Sequence, residues 1–172
     1  MHVEIPARAT VGYLVRNDTV NLPWKKRGVG AGRRNGYGGG ILYGESRETG
    51  CVREILEEGR VKTWGQDLQP VALLRCHNRM ENGQTFLCTV FVFQTSFWLG
   101  FTEPKESDEM GLPAWFPINA LPLQELLPAD QLWLPRFFKE RKLLLVTARY
   151  GPNQKTLDEA VTIEEIESLP EE

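Results

Sequence analysis

The residues best placed to do chemistry are acidic. Glu54, Glu57 and Glu58 fall in the run REILEE at i, i+3 and i+4, so a helix turning by about 100° per residue gathers them on one side. Val52, Ile55 and Leu56 are then expected on the opposite, buried side. Like charges at this spacing repel by about a few tenths of a kcal/mol per pair in a bare helix, a penalty that a divalent cation removes. Clustered carboxylate oxygens suit Mg2+ or Mn2+, which in turn hold phosphate oxygens. Upstream, WKKRGVGAGRRNGYGGG supplies Lys25, Lys26, Arg27, Arg33 and Arg34. Cations facing a carboxylate cluster suit a metal-polyphosphate ligand, because the basic side chains hold the charge that the metal leaves. The glycines fit neither G-x-G-x-x-G nor the Walker A spacing, which excludes the dinucleotide-binding and P-loop motifs.

These groups need elements to hold them. Gly38-Gly39-Gly40 allows a sharp turn or a close ligand approach, and Ser46, with Glu48 two residues on, is the predicted N-cap of the acidic helix. Residues 8–16 read as a buried strand, followed by a turn at Asn17-Asp18 and a short apolar run to Leu22. PVALLRCHN and GQTFLCTVFVF read as two strands joined around Glu81-Asn82-Gly83. PKESDEMGLPAW is a polar loop leading to a short strand at Trp115-Phe116. Prolines at 122, 128 and 135 predict a loop and then a helix starting near Pro128. LLLVTARYG and KTLDEAVTI read as a final strand pair, with an acidic tail expected to fray from about 164. Strands around one strong helix, with a second near the end, predict an α/β fold with a mixed sheet between helices. One domain over residues 1–172 is expected from length.

Composition narrows the function. A chain with 41% apolar residues has enough for a core, and a net charge of −3 leaves no global basic footprint for duplex nucleic acid. Cys51, Cys76 and Cys88 form no C-x-x-C pair, which argues against a zinc site or a disulfide framework and fits a reducing cytosol. Only His2 and His77 are present, so zinc-protease and Ser-His-Asp chemistry have little support. With neither a signal-like start nor a run of ~18 apolar residues, the expectation is a cytoplasmic protein without a membrane partner.

Taken together, Gly39, five residues, Glu45, seven residues and Arg53-Glu54-Ile55-Leu56-Glu57-Glu58 match the Nudix box, G-x5-E-x7-R-E-U-x-E-E-x-G-U with U aliphatic. Only its last glycine differs, being Arg60 here. Gly59, one place early, is expected to serve as the helix C-cap instead. WKKRGVGAGRRNGYGGG, ESDEMGLPAWF and LPADQLWLP extend the similarity over roughly residues 9–163. The chain thus resembles the Nudix hydrolases, and among them the MutT-type oxidised purine nucleoside triphosphatases.

The resemblance implies a Nudix α/β/α sandwich, dependence on Mg2+ or Mn2+, and cleavage of a nucleoside triphosphate to monophosphate and pyrophosphate. It places the Gly38 carbonyl and the carboxylates of Glu54, Glu57, Glu58 and Glu109 at the metal, and pairs Arg53 with Glu45. Glu54 is the candidate for an additional general-base role. Lys25 falls close to the substrate, Asn35 and Asp130 at the purine edge, and Thr10 and Met110 in the lining of the base pocket. Three departures lie in that pocket: Ala129 where the family has a first aspartate, Leu127 for a stacking tryptophan and Val29 for a phenylalanine. Losing a charge-assisted hydrogen bond forfeits about 1.5–3 kcal/mol, so looser base selection is expected. The alternatives are another nucleoside diphosphate-linked substrate, such as a dinucleoside polyphosphate or a nucleotide sugar, and a Nudix-fold module that binds a nucleotide without cleaving it.

Overall fold

A computed structural model describes residues 7–171. Its centre is an eight-stranded mixed sheet. The long strands β1 (Arg8–Arg16), β5 (Gln69–Arg79), β6 (Thr85–Thr95) and β9 (Leu144–Tyr150) form its middle, and the short β2 (Thr19–Asn21), β3 (Trp24–Lys25), β4 (Tyr37–Gly40), β7 (Met110–Gly111), β8 (Trp115–Pro117) and β10 (Thr162–Glu165) lie around them. The main path runs β10-β9-β5-β6-β1-β2-β8, with β4 also paired to β1, while β3 and β7 make a separate two-stranded sheet. β1 runs parallel to β6, and β5 parallel to β9. β5 and β6 form the expected hairpin, turning at Gly83 with φ +87.

The two helices, α1 (Arg47–Gly59) and α2 (Asp130–Glu140), occupy separate cores on the two faces of the sheet. Alternation along β1 divides its side chains between them: Leu14 joins Cys51 and Ile55 of α1, while Tyr13 and Val15 join Trp133, Leu134 and Phe137 of α2. Each fully buried side chain of this size contributes about 1.5–3 kcal/mol of burial free energy. Helix α1 sits so close to β1 that a Cβ on Gly12 would lie 2.6 Å from Ile55 Cδ1 and 2.8 Å from Cys51 Sγ.

Several sequence expectations shift. Helix α2, expected near Pro128, starts two residues on at Asp130. The strand expected over KTLDEAVTI pairs with β9 in a continuous ladder only from Thr162; before it Leu157 makes a single bridge to Tyr150. In the acidic tail from 164, Glu164 and Glu165 pair with β9, Ile166 and Leu169 pack on the α1-side core, and Arg47 Nη1 donates to the Pro170 carbonyl at 2.6 Å.

Candidate active site

Helix α1 opens with Ser46, whose hydroxyl accepts the Thr49 N–H at 3.1 Å, as its sequence predicts. Its inward stripe is Gly50, Cys51, Glu54, Ile55, Glu58 and Gly59. This corrects the sequence reading of an apolar face opposite an acidic one. Measured from Cys51, Glu54 and Glu58 turn back within about 60° of it, whereas Leu56 points about 140° away. Leu56 is accordingly 43% exposed, while Glu54 and Glu58 are 9% and 4% exposed. Among the three glutamates Glu57 alone has an outward side chain. Burial raises the carboxyl of Glu54 above its ordinary value and pushes Glu58 up to about 8.

Arg53 organises the stretch. Its Nε and Nη2 bind Glu45 Oε2 and Oε1 at 2.8 and 2.9 Å, and Nη2 also donates to the Gly40 carbonyl at 3.0 Å. The fork of hydrogen bonds from Arg53 lowers the Glu45 carboxyl. Nη1 holds Glu54 Oε1 at 2.8 Å and Glu57 Oε2 at 3.2 Å. Glu58 Oε1 accepts the Gly38 N–H at 2.7 Å. Gly39 lets the Glu54 carboxylate lie against the backbone, since a Cβ on it would come 2.5 Å from Glu54 Oε1 and displace that side chain. The helix ends on Arg60 itself, in the left-handed region at φ 59 and ψ 31, with its N–H on the Leu56 carbonyl at 3.1 Å. Gly59 is therefore not the cap. It lies inside the helix against the Tyr37 ring.

The small β3–β7 sheet carries the facing wall. Lys25 pairs with Met110, and Lys26 N–H donates to the Glu109 carbonyl at 2.8 Å, which brings the basic loop and ESDEM side by side. Arg27 Nε meets Glu109 Oε1 at 2.7 Å. Between this wall and α1 lies a cleft of about 440 Å3, lined by Lys25, Arg27, Gly38, Glu54, Glu57, Glu58, Arg60 and Glu109 among others. Gly38, Glu54, Glu57, Glu58 and Glu109 thus share one cavity. Among the described residues, however, no group of three or more His, Cys, Asp or Glu side chains converges closely enough to hold a metal ion. The reason is visible in the contacts: Arg53, Arg27 and the Gly38 N–H each draw a carboxylate to themselves. The donor set still fits a hard divalent cation, being all oxygen and acidic, with two carboxyls raised by burial.

The basic loop divides. Lys25 and Arg27 reach the cleft, whereas Arg34 is a buried support: Nη1 donates to the Leu22 carbonyl at 2.6 Å, Nε binds Glu125 at 3.0 Å, and its guanidinium stacks over Trp24 and Phe116. Arg33 is tied to the carbonyls of Gln124 and Leu126.

A second, buried pocket of about 70 Å3 holds Asn35 and Asp130 together with Leu127. Val11 lines it and is the register partner of Gly38 in the cleft, so both cavities border the β1–β4 pair. Asp130 Oδ1 accepts the Trp133 indole N–H at 2.8 Å, and burial pushes its carboxyl up to about 7. Asn35 Oδ1 accepts from the Gly36 N–H at 2.7 Å and the Tyr13 hydroxyl at 3.2 Å, leaving its amide hydrogens for another partner. Two expected lining residues are elsewhere. Thr10 points to the α1 face and donates to the Phe91 carbonyl at 3.2 Å, while its neighbour Val11 takes the pocket side. Met110 is buried in the α1-side core. Sequence reasoning missed Tyr13, Trp133, Tyr150 and Gln154 in this pocket. Alternation from Val11 points to Tyr13, but no motif marks the other three.

The NUDIX domain model matches residues 6–137. The chain belongs to the Nudix family. It is 35% identical over 135 residues to the oxidized purine nucleoside triphosphate hydrolase of Danio rerio, spanning 78% of this chain and 81% of that protein. Its identity to the Mus musculus protein of the same name is 36% over 134 residues, 77% of this chain and 80% of the other. Among solved structures, a MutT protein from Bacillus halodurans superposes with a TM-score of 0.75 over 91% of this chain and 97% of its own, at 22% identity, a likeness of fold. This Nudix chain is therefore a hydrolase of phosphoanhydride bonds with a mixed α/β fold, in a family that uses a divalent cation. Among the described residues no helix is long and apolar enough to cross a membrane.

Proposed function

We propose that this Nudix hydrolase is a Mg2+- or Mn2+-dependent cytoplasmic enzyme that cleaves purine nucleoside triphosphates, oxidised ones included, to the monophosphate and pyrophosphate. One observation carries the reading. An acidic cleft with Lys25 and Arg27 on its far wall and a pocket holding Asn35 and Asp130 both border the β1–β4 pair. A triphosphate and a base attached to it need two such cavities side by side. The two animal relatives, whose names specify oxidised purine nucleoside triphosphates, support the same substrate class.

Gly38, Glu54, Glu57, Glu58 and Glu109 would hold the divalent cation, which supplies Lewis-acid stabilisation of phosphate charge and a more acidic water. Lys25 and Arg27 bind the phosphate oxygens and oppose the charge that grows in the transition state. Glu45 orients Arg53, which fixes Glu54 through Oε1 and leaves Oε2 as the candidate acceptor of the proton from the attacking water. A water oxygen to phosphorus bond forms, the bridging phosphorus to oxygen bond breaks, and pyrophosphate leaves. Asn35 and Asp130 position the base.

The test is product analysis with Mg2+ on dGTP, 8-oxo-dGTP, dATP and 2-hydroxy-dATP. Pyrophosphate with monophosphate is expected, and Glu57→Gln and Glu58→Gln should each lower turnover by roughly two orders of magnitude or more. Release of orthophosphate, or near-normal turnover in both variants, overturns the assignment.

A further inference from the structure

The inner pocket is too small for a nucleoside. Its volume is about 70 Å3, whereas small-molecule sites run to about 300 Å3 and more. Immediately outside lies a groove of about 340 Å3 that includes Gly30, Arg33, Asn153 and Lys155. Leu127 and Gln154 line both spaces. A base seated against Asn35 and Asp130 therefore extends past these two side chains. Leu127 offers it an apolar surface, and Gln154 offers a carboxamide.

That carboxamide is held from within the sheet. Gln154 Nε2 donates to Asn78 Oδ1 at 2.9 Å, and Asn78 Nδ2 donates to the Cys76 carbonyl at 2.9 Å. Asn78 is 2% exposed on β5, so the relay is anchored in the sheet itself. With Nε2 engaged, Oε1 is the end left for a ligand. The turn carrying the residue keeps Asn153 and Gln154 at φ +57, a backbone region that a glutamine rarely enters and that recurs where a side chain must be aimed.

The rest of the pocket is short of acceptors. Asp130 Oδ1 is taken by Trp133, Asn35 Oδ1 by Gly36 and Tyr13, and the Tyr150 hydroxyl oxygen by the Ala129 N–H at 3.1 Å. Ala129 brings none. A guanine edge presents ring N–H and amino donors together, and Asp130 Oδ2, when ionised, answers only one of them.

Resting on the purine-triphosphate reading above, we propose that Gln154 is a base-reading residue, its Oε1 accepting a hydrogen bond from a donor on the purine edge. It lies beyond the segment matched by the family model, so the second acceptor comes from a different part of the fold.

The test compares Gln154→Leu and Gln154→Glu with the wild type, using kcat and KM for dGTP, 8-oxo-dGTP, dATP and 2-hydroxy-dATP together with thermal melts. Gln154→Leu should raise KM for the best substrate about 10-fold, compress the differences among the four, and leave kcat within about threefold. Gln154→Glu keeps an acceptor and should recover part of the selectivity. An unchanged KM ranking in Gln154→Leu refutes the inference. So does an equal fall in kcat on all four substrates, which marks a merely structural role. A wild type that hydrolyses none of the four removes the purine reading itself and the inference with it.

Discussion

Both helices end on an arginine in left-handed backbone, at φ 59 and ψ 31 for Arg60 and φ 56 and ψ 35 for Arg141. A side chain in that region costs about 1–2 kcal/mol, which glycine avoids. Glycine in turn loosens the unfolded chain by about 0.4–1 kcal/mol. Arg60→Gly, which restores the residue type of the Nudix box, should therefore stabilise the protein by about 0.5–1 kcal/mol net. In a domain of this size that is a rise in Tm of roughly 1–4 °C. Arg141→Gly is the matched control. Its guanidinium lies 5.3 Å from the Phe138 ring centroid and 6.0 Å from that of Phe137, and losing that contact forfeits about 0.5–1 kcal/mol. The second variant should melt close to the wild type. Calorimetry on both reads the stability difference, and steady-state kinetics reads the site. Arg60 lines the acidic cleft, so its removal should raise KM for a triphosphate even as Tm rises, while Arg141→Gly leaves KM alone. If Arg60→Gly melts at or below the wild-type temperature, the left-handed cap is not a source of strain and the reasoning fails.

Lys25→Ala should lower kcat/KM about 10-fold or more while Tm stays within a few degrees, since this lysine faces the cleft from a two-residue strand with little core behind it; a large drop in Tm with intact kinetics would reverse the assignment. Asp130 should make stability fall as pH rises. Folding lifts its carboxyl from 3.8 to about 7, so between those values the folded state keeps a proton that the unfolded chain has lost, and on the order of 4 kcal/mol disappears across that window. The groups facing it, Tyr13, Tyr150 and Cys76, stay neutral there, their own values being raised by burial. Denaturant titrations at pH 4.5 and 7.5 should therefore show Asp130→Asn gaining on the wild type at the higher pH, and an equal difference at both would refute the burial argument.

Much of the fold was legible because periodicity and turn chemistry agree with the tertiary packing. The β5–β6 hairpin was readable from its two apolar runs and Gly83, and the start of α1 from Ser46. What failed needed the partner element. KTLDEAVTI reads as strand on composition, but the strand that pairs with β9 begins only at Thr162, and residues 164–170 are held by pairing with β9, by Ile166 and Leu169 packing on the α1-side core and by Arg47, contacts that no local pattern encodes.

The site divides along the same line. Glu45, Arg53 and the three helix glutamates were readable because fixed spacing on one helix and its preceding loop determines their neighbours. Even so, the sense of the helix was misjudged, since a carboxylate pattern looks like a solvent face until something supplies the N–H and guanidinium partners that let Glu54 and Glu58 turn inward. Charge alone misled in the basic loop as well: Lys25 and Arg34 look equivalent in sequence, yet Arg34 is held between Leu22, Glu125 and two aromatic rings, while Lys25 faces the cleft. The proposed base pocket was least legible. Its polar groups come from β1, the loop before β4, α2 and the turn after β9, so no spacing relates them, and Gln154 gains a role only through Asn78, 76 residues away. Phosphate chemistry can be written into one helix and its flanking loops, whereas reading a base needs groups around a ring, which only the folded sheet and α2 bring together.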